Sequence, residues 1–114
     1  MIKNNVYVLY MKIFKLYKST RSNKKYMVID DNNNKIHFGG YNNNDFIIYN
    51  TIDKKLANSK KDAYLKRHSK LNENWNDYKT PAFWATNLLW NKETLNKSIK
   101  DILKRYHIKI ENYL

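Results

Sequence analysis

No cysteine occurs in this chain of 114 residues. Its absence removes disulfides, thiolate nucleophiles and zinc–thiolate sites together, and it fits a reducing compartment. Glycine is nearly as scarce. The two copies are adjacent, Gly39-Gly40, which leaves no phosphate-cradling loop of the G-x-x-x-x-G-K-[ST] kind. Histidine is limited to His37, His68 and His107. None stands four residues from another, so the helical pair that commonly binds a metal is missing. Long apolar runs are missing too. The charge-free stretch Val6 to Met11 near the start is far too short to span a bilayer. No small-residue cleavage site follows it. The expectations are therefore no cofactor, no metal, no membrane insertion and no secretion.

Acidic residues are in deficit: 10 Asp and Glu stand against 22 Lys and Arg, for a net charge of +12. Such a charge attracts polyanions, meaning nucleic acid, an acidic membrane face or an acidic protein. Part of the Lys content has a plainer source, because Asn, Ile and Tyr are also abundant and all have A/T-rich codons. Acids are not strongly disfavoured by that bias, so the excess of bases still calls for a partner. The length suits one domain that buries enough surface to fold without staples.

The pattern along the chain changes once. Val6 to Lys18 is rich in β-branched and aromatic residues, as in a strand. Lys25 to Asp30 predicts a second strand, Asp31 to Asn34 a hairpin, and Lys35 to Phe38 a third strand, ended by Gly39-Gly40 at a bend or a close backbone approach. Asn42 to Asn44 reads as a loop tip. Asp45 to Ile52 fits a short strand or an apolar segment covering the sheet. The period then becomes helical. Ser59 with Asp62 resembles a capping box opening a helix through about Lys70. Thr80-Pro81 starts another, to about Trp90. Thr94 caps a third, to about Tyr106, with Leu95, Ile99, Ile102, Leu103 and Tyr106 as its apolar stripe. Residues 107–114 fit an edge strand or a loose terminus. The expected fold is α+β: an antiparallel β-meander of about three strands against three C-terminal helices, in a single domain over 1–114 with its core at 11–106 and extensions at 1–10 and 107–114.

All three tryptophans fall between Trp75 and Trp90. They belong to a set of motifs: Ile36-His37-Phe38-Gly39, Tyr64 with Arg67 and His68, Glu73-Asn74-Trp75, Phe83-Trp84, Leu88-Leu89-Trp90-Asn91-Lys92, and Thr94-Leu95 with Ser98-Ile99. At these residues the chain resembles a family of small, basic, functionally uncharacterised proteins of large eukaryotic DNA viruses (giant viruses) and some phages. The similarity covers about Met11 to Tyr106. Leu71 and Asn72 stand where that family usually has another base, and Ala82 replaces a glycine. The first ten residues and Asn42 to Asn44 look like additions, so residues 1–10 are expected to be dispensable, with Met11 a possible internal start. The resemblance implies a viral setting, in the virion or in the cytoplasm or nucleus of an infected cell, and it implies no activity.

Catalysis is weakly signalled. His68 with Asn72 and Asn74 loosely resembles a His–Asn nuclease layout, but a ring held between its helix and a tryptophan explains His68 as well. His37 alternates with Ile36 and Phe38, so it should face away from them. Binding is better signalled. Nucleic-acid binders combine Lys and Arg for phosphates with planar side chains for stacking. Lys66, Arg67 and Lys70 on one helix, with Trp75 just beyond, fit that recipe, and Arg21, Lys24 and Lys25 form a second edge. Trp84, with Leu88 four residues on, fits core better than a base platform. No base-reading motif is present. The expectation is a non-enzymatic protein that holds nucleic acid, DNA ahead of RNA, through phosphates without strong sequence preference. The alternative is a minor capsid or virion structural protein whose ten tyrosines and three tryptophans pack between other, acidic virion subunits.

Overall fold

The computed structural model describes residues 11–114. The expectations for Val6 to Tyr10, and for the dispensability of residues 1–10, lie outside the described residues. The fold is α+β. Strands β1 (Lys12–Lys18), β2 (Lys24–Ile29) and β3 (Lys35–Gly40) form the antiparallel meander. Helices α1 (Phe46–Asn50), α2 (Lys54–Ser69), α3 (Pro81–Trp84) and α4 (Leu95–Tyr106) follow, and β4 (Ile108–Asn112) ends the chain. The sheet order is β3-β2-β1-β4.

Residues 107–114 are thus no loose extension. β4 runs parallel to β1 in the register Phe14↔Ile110, and Ile108 and Ile110 are buried. The turn into it is tight: His107 takes the left-handed conformation at φ 55° and closes α4 with an N–H to Leu103 O.

The pleat decides which face is core. Leu16 pairs with Val28, Tyr26 with Phe38 and Val28 with Ile36. One face therefore carries Phe14, Leu16, Val28 and Phe38, all buried, and α3, its continuation and α4 cover it. His37 pairs with Met27 on the opposite face and bonds Ser19 Oγ at 2.7 Å, as the alternation predicts. Burial, followed by the nearby charges of Arg21, Lys35 and Lys24, holds its pKa below the ordinary histidine value. Trp84 is the centre of the core. It is fully buried, its ring lies 4.7 Å from Phe14 and 5.0 Å from Phe83, and its Nε1 donates to Tyr78 O at 2.8 Å. Phe83, Leu88 and Ile102 are buried with it, and Leu95 and Ile99 pack against them. Leu103, expected in the stripe, is 38% exposed.

Three local expectations are corrected or narrowed. β3 continues through Gly40, which pairs with Lys24, because Gly39 absorbs the bend at φ 77°. A side chain at Gly39 would meet Leu89 Cδ1 at 2.9 Å, so the close approach predicted there is real. Of the two readings open for Asp45 to Ile52, the strand is excluded: Phe46 to Asn50 is a one-turn helix, capped by buried Asp45, which accepts from Ile48 N at 3.0 Å. The long helix begins at Lys54, well before Ser59, because Asp53 accepts from Lys55 N at 2.9 Å.

The helix opened by Thr80-Pro81 reaches Leu89, but Ala85–Leu89 is wound as a π-helix. Wider turns of this kind recur at functional sites. Buried Asn87 occupies it. Its Nδ2 donates to Phe83 O at 2.9 Å and Trp75 O at 3.1 Å, and its Oδ1 accepts from Arg105 at 2.7 Å. Leu88 and Leu89 are buried while Trp90 emerges half-buried at the end.

Candidate nucleic-acid interface

α2 buries only Ala57 and Tyr64. Its polypeptide is nevertheless a good helix former, with Lys, Ala and Leu in excess, an Asp cap at one end and Lys66, Arg67 and His68 in the last turn, where the helix dipole favours positive charge. It packs chiefly on α1 and is tied to the rest of the fold by a column of rings. Tyr64 stacks on Trp90 at 4.4 Å and 6°, and His68 stacks on the other side of Tyr64 at 4.1 Å. Tyr64 Oη lies 3.3 Å from Thr86 Oγ1, and burial raises its pKa. Lys61 adds a second tie. Its Nζ donates to Asn91 O at 2.6 Å and sits 4.7 Å over the Phe46 ring. Burial, then repulsion from Lys92, holds it below the ordinary lysine value.

Between α2 and the β3–α1 segment runs a groove of about 770 Å³. Phe38, Gly39, Gly40, Tyr49, Tyr64, Ala85, Leu89 and Trp90 form its apolar lining, and Lys24, Lys60, Arg67, His68 and Glu73 supply charge. Parts of several motifs singled out in the sequence therefore meet in one place: Phe38-Gly39, Tyr64 with Arg67 and His68, Glu73, and Leu89-Trp90 are distant along the chain and line the same groove.

The predicted binding residues divide. Lys24 and Arg67 line this groove from opposite walls. Lys25 also lines it but is committed: its Nζ donates to Asp45 Oδ2 at 2.9 Å and Asn43 O at 2.7 Å, and its side chain is 13% exposed. It is a structural ion pair rather than a cation free for phosphate. Lys66 and Lys70 are exposed and lie outside the groove, Lys66 projecting about 160° round the helix from Tyr64. Arg21 is exposed in the β1–β2 turn, away from the groove. Trp75 is half-buried, its Nε1 donates to Glu73 Oε1 at 3.1 Å, and its carbonyl accepts from Asn87. It is a brace rather than an open platform.

His68 is not sandwiched directly by a tryptophan, since Tyr64 lies between it and Trp90. Its Nδ1 is 3.0 Å from Glu73 Oε1. An ionised carboxylate only accepts, so Nδ1 carries the hydrogen. Burial pushes the Glu73 carboxyl up, but the bonds from Trp75 and His68 prevail and hold it below the ordinary 4.5. Among the described residues no group of three or more His, Cys, Asp and Glu is placed to hold a metal, and no helix is long and apolar enough to cross a membrane.

Lys60, Tyr49, Glu73 and Trp90 were not singled out as binding residues. Lys60 and Trp90 could be placed only once the helix phase and the π turn were known. Gly39-Gly40 did carry a legible signal, as the only glycines in the chain.

A family model described as a family of unknown function (DUF5754) matches residues 14–68. The matched stretch runs from β1 through α2 and so includes both walls that carry Lys24 and Arg67, but it stops short of Glu73 and Trp90. No curated protein and no solved structure matches the chain, and similarity to that uncharacterised family over β1 to α2 is what the comparisons establish.

Proposed function

We propose that this protein binds nucleic acid through phosphate contacts, without enzymatic chemistry and without strong sequence preference. The observation that carries the reading is α2. It is a 16-residue helix with no apolar stripe and a mostly basic exposed surface. Lys55, Lys66, Arg67 and Lys70 are exposed on it with Asp62 as the one acid among them. A helix normally gains its stability from an apolar face against a core, and α2 has been left almost without one. Across the groove Lys24 continues the positive surface. The charge is also uncompensated. Among the described residues, Lys25, Lys97 and Arg105 are the Lys and Arg side chains that pair with carboxylates.

Random-sequence duplex DNA should bind with an affinity that falls steeply with salt. Each phosphate contact contributes a slope of about 0.9 in log affinity against log salt, so four to six contacts give roughly 4–5. Replacing Lys66, Arg67 and Lys70 together by Ala should lower that slope by about two to three units while leaving the fold intact. No binding at low salt, or a slope unchanged by the triple substitution, would overturn the reading.

One observation favours the second reading, a minor virion protein packed between other subunits. Ile52, Leu71 and Tyr41 are 65%, 59% and 64% exposed, as residues that a neighbouring subunit covers would be. Retention in purified particles through nuclease treatment and high-salt washing separates the two, because phosphate-held protein leaves and interface-held protein stays.

A further inference from the structure

We infer that the groove between α2 and β3 accepts an unpaired nucleotide, so that the protein prefers single-stranded to duplex nucleic acid. The inference rests on the nucleic-acid reading above and names the form of ligand that the groove would take. Two features of the groove require different parts of one ligand. Aromatic rings line part of it, Trp90 at the end of the ring column and Tyr49 6.4 Å away and tilted to it by 47°. Cations line it as well, Lys60 and Arg67 on α2 and Lys24 on β2, while the lining carboxylates Asp45 and Glu73 are taken up by Lys25 and His68. A lipid tail would satisfy the rings alone, and inorganic phosphate the cations alone. A nucleotide has a flat base and a phosphate within one residue, which is why single-strand binders combine aromatic platforms with a positive track.

Size and shape point the same way. A volume of about 770 Å³ falls in the range of small-molecule sites. A double helix keeps its bases stacked inside, and it is read by elements that protrude into its grooves. The groove side of α2 therefore suits a base turned out of a strand, while Lys66 and Lys70, exposed outside the groove, suit the continuing backbone. Gly39 allows the chain to bend at the groove without a side chain filling it. The left-handed φ of 77° and the 2.9 Å approach of Leu89 Cδ1 leave no room for one.

The test compares a twelve-nucleotide oligo-dT with a twelve-base-pair duplex of mixed sequence at matched salt, read by tryptophan emission and by anisotropy of labelled strands. The single strand should bind about tenfold more tightly and quench emission. Trp90→Leu should abolish both the preference and most of the quenching. Because Trp90 also supports Tyr64, Lys60→Glu gives an independent arm on an exposed residue, expected to lower single-strand affinity about tenfold. Excess thymidine monophosphate should compete only weakly, since it lacks the neighbouring phosphates. Equal or tighter duplex binding, or a single-strand preference retained by both variants, overturns the groove assignment and leaves the phosphate-binding reading standing. Full competition by the mononucleotide replaces the strand with a free nucleotide as the ligand. Absence of binding to either polymer overturns both.

Discussion

α2 and α4 are built alike at their ends and differently along their sides. Each opens on an oxygen-bearing cap, Asp53 accepting from Lys55 N and Thr94 from Lys97 N, and each closes on bases, Lys66, Arg67 and His68 in one and Lys104 and Arg105 in the other. Along the sides they diverge. α4 buries Ser98 and Ile102 and lays Leu95, Ile99 and Tyr106 against the core. α2 buries one alanine and one tyrosine. Caps and propensity therefore suffice to define where a helix lies, while the apolar stripe decides whether it holds the fold together. The segment from Pro81 to Tyr106 does hold it together. α2 is carried by the fold, and most of its surface remains available.

The sharpest way to break this contrast is to remove a side chain from each region. Trp84→Ala should destabilise the protein by about 3–5 kcal/mol, since it empties the centre of the core. Lys66→Ala on α2 should change stability by no more than about 0.5 kcal/mol. Denaturant unfolding of both variants checks the pair. A small loss at Trp84 would mean that the core lies elsewhere.

The next effect is smaller and concerns where α2 begins. Asp53→Ala should cost about 1 kcal/mol, because it orphans the Lys55 N–H at the first turn. Ser59→Ala should cost no more than about 0.5 kcal/mol, since Ser59 is exposed within the helix. Equal costs would restore Ser59 as the cap and shorten α2. The same distinction is visible in amide exchange. The Lys54 to Asn58 amides should exchange faster in Asp53→Ala and be unaffected in Ser59→Ala.

These two residues also show what the sequence reveals and what it hides. The meander, the Thr80-Pro81 start and the Leu95 to Tyr106 stripe were legible because each rests on a local rule: alternation, a cap with proline, or a 3.6-residue period. The start of α2 was hidden because Lys54, Lys55 and Asn58 carry no apolar period, so the only signal was the Asp53 cap. α1 was hidden because one turn of helix and one short strand bury the same apolar run. The groove was half legible: Arg67 and Lys24, which line it, stood out from charge, but charge cannot show that Lys25 is matched by Asp45, twenty residues away. Trp90 was legible as a motif residue, and its place in the groove depends on the π turn before it. The parallel pairing of β4 with β1 is a long-range contact that the alternation of Ile108 and Ile110 only permits.

The smallest expected effect concerns the latch between the end of α2 and the loop that follows. Glu73 accepts from His68 on the helix and from Trp75 on the loop, and Trp75 is in turn held by Asn87 in the π turn. Its carboxyl is held below the ordinary glutamate value of 4.5. A depressed carboxyl contributes stability that is fully present above the unfolded value and is lost as pH falls through the lower folded value. Glu73→Gln keeps the shape and can still accept from Trp75, so near neutral pH the loss should be at most about 0.5 kcal/mol. That deficit should shrink as pH falls below the ordinary glutamate value and vanish once pH has fallen through the depressed folded value, where the native carboxyl takes up its proton. Unfolding of the two proteins side by side across this acid range checks it. A deficit that persists unchanged in acid would show that it does not come from the carboxylate's charge. α2 would then be fastened to the core by its ring column and by Lys61, with no charged latch at Glu73.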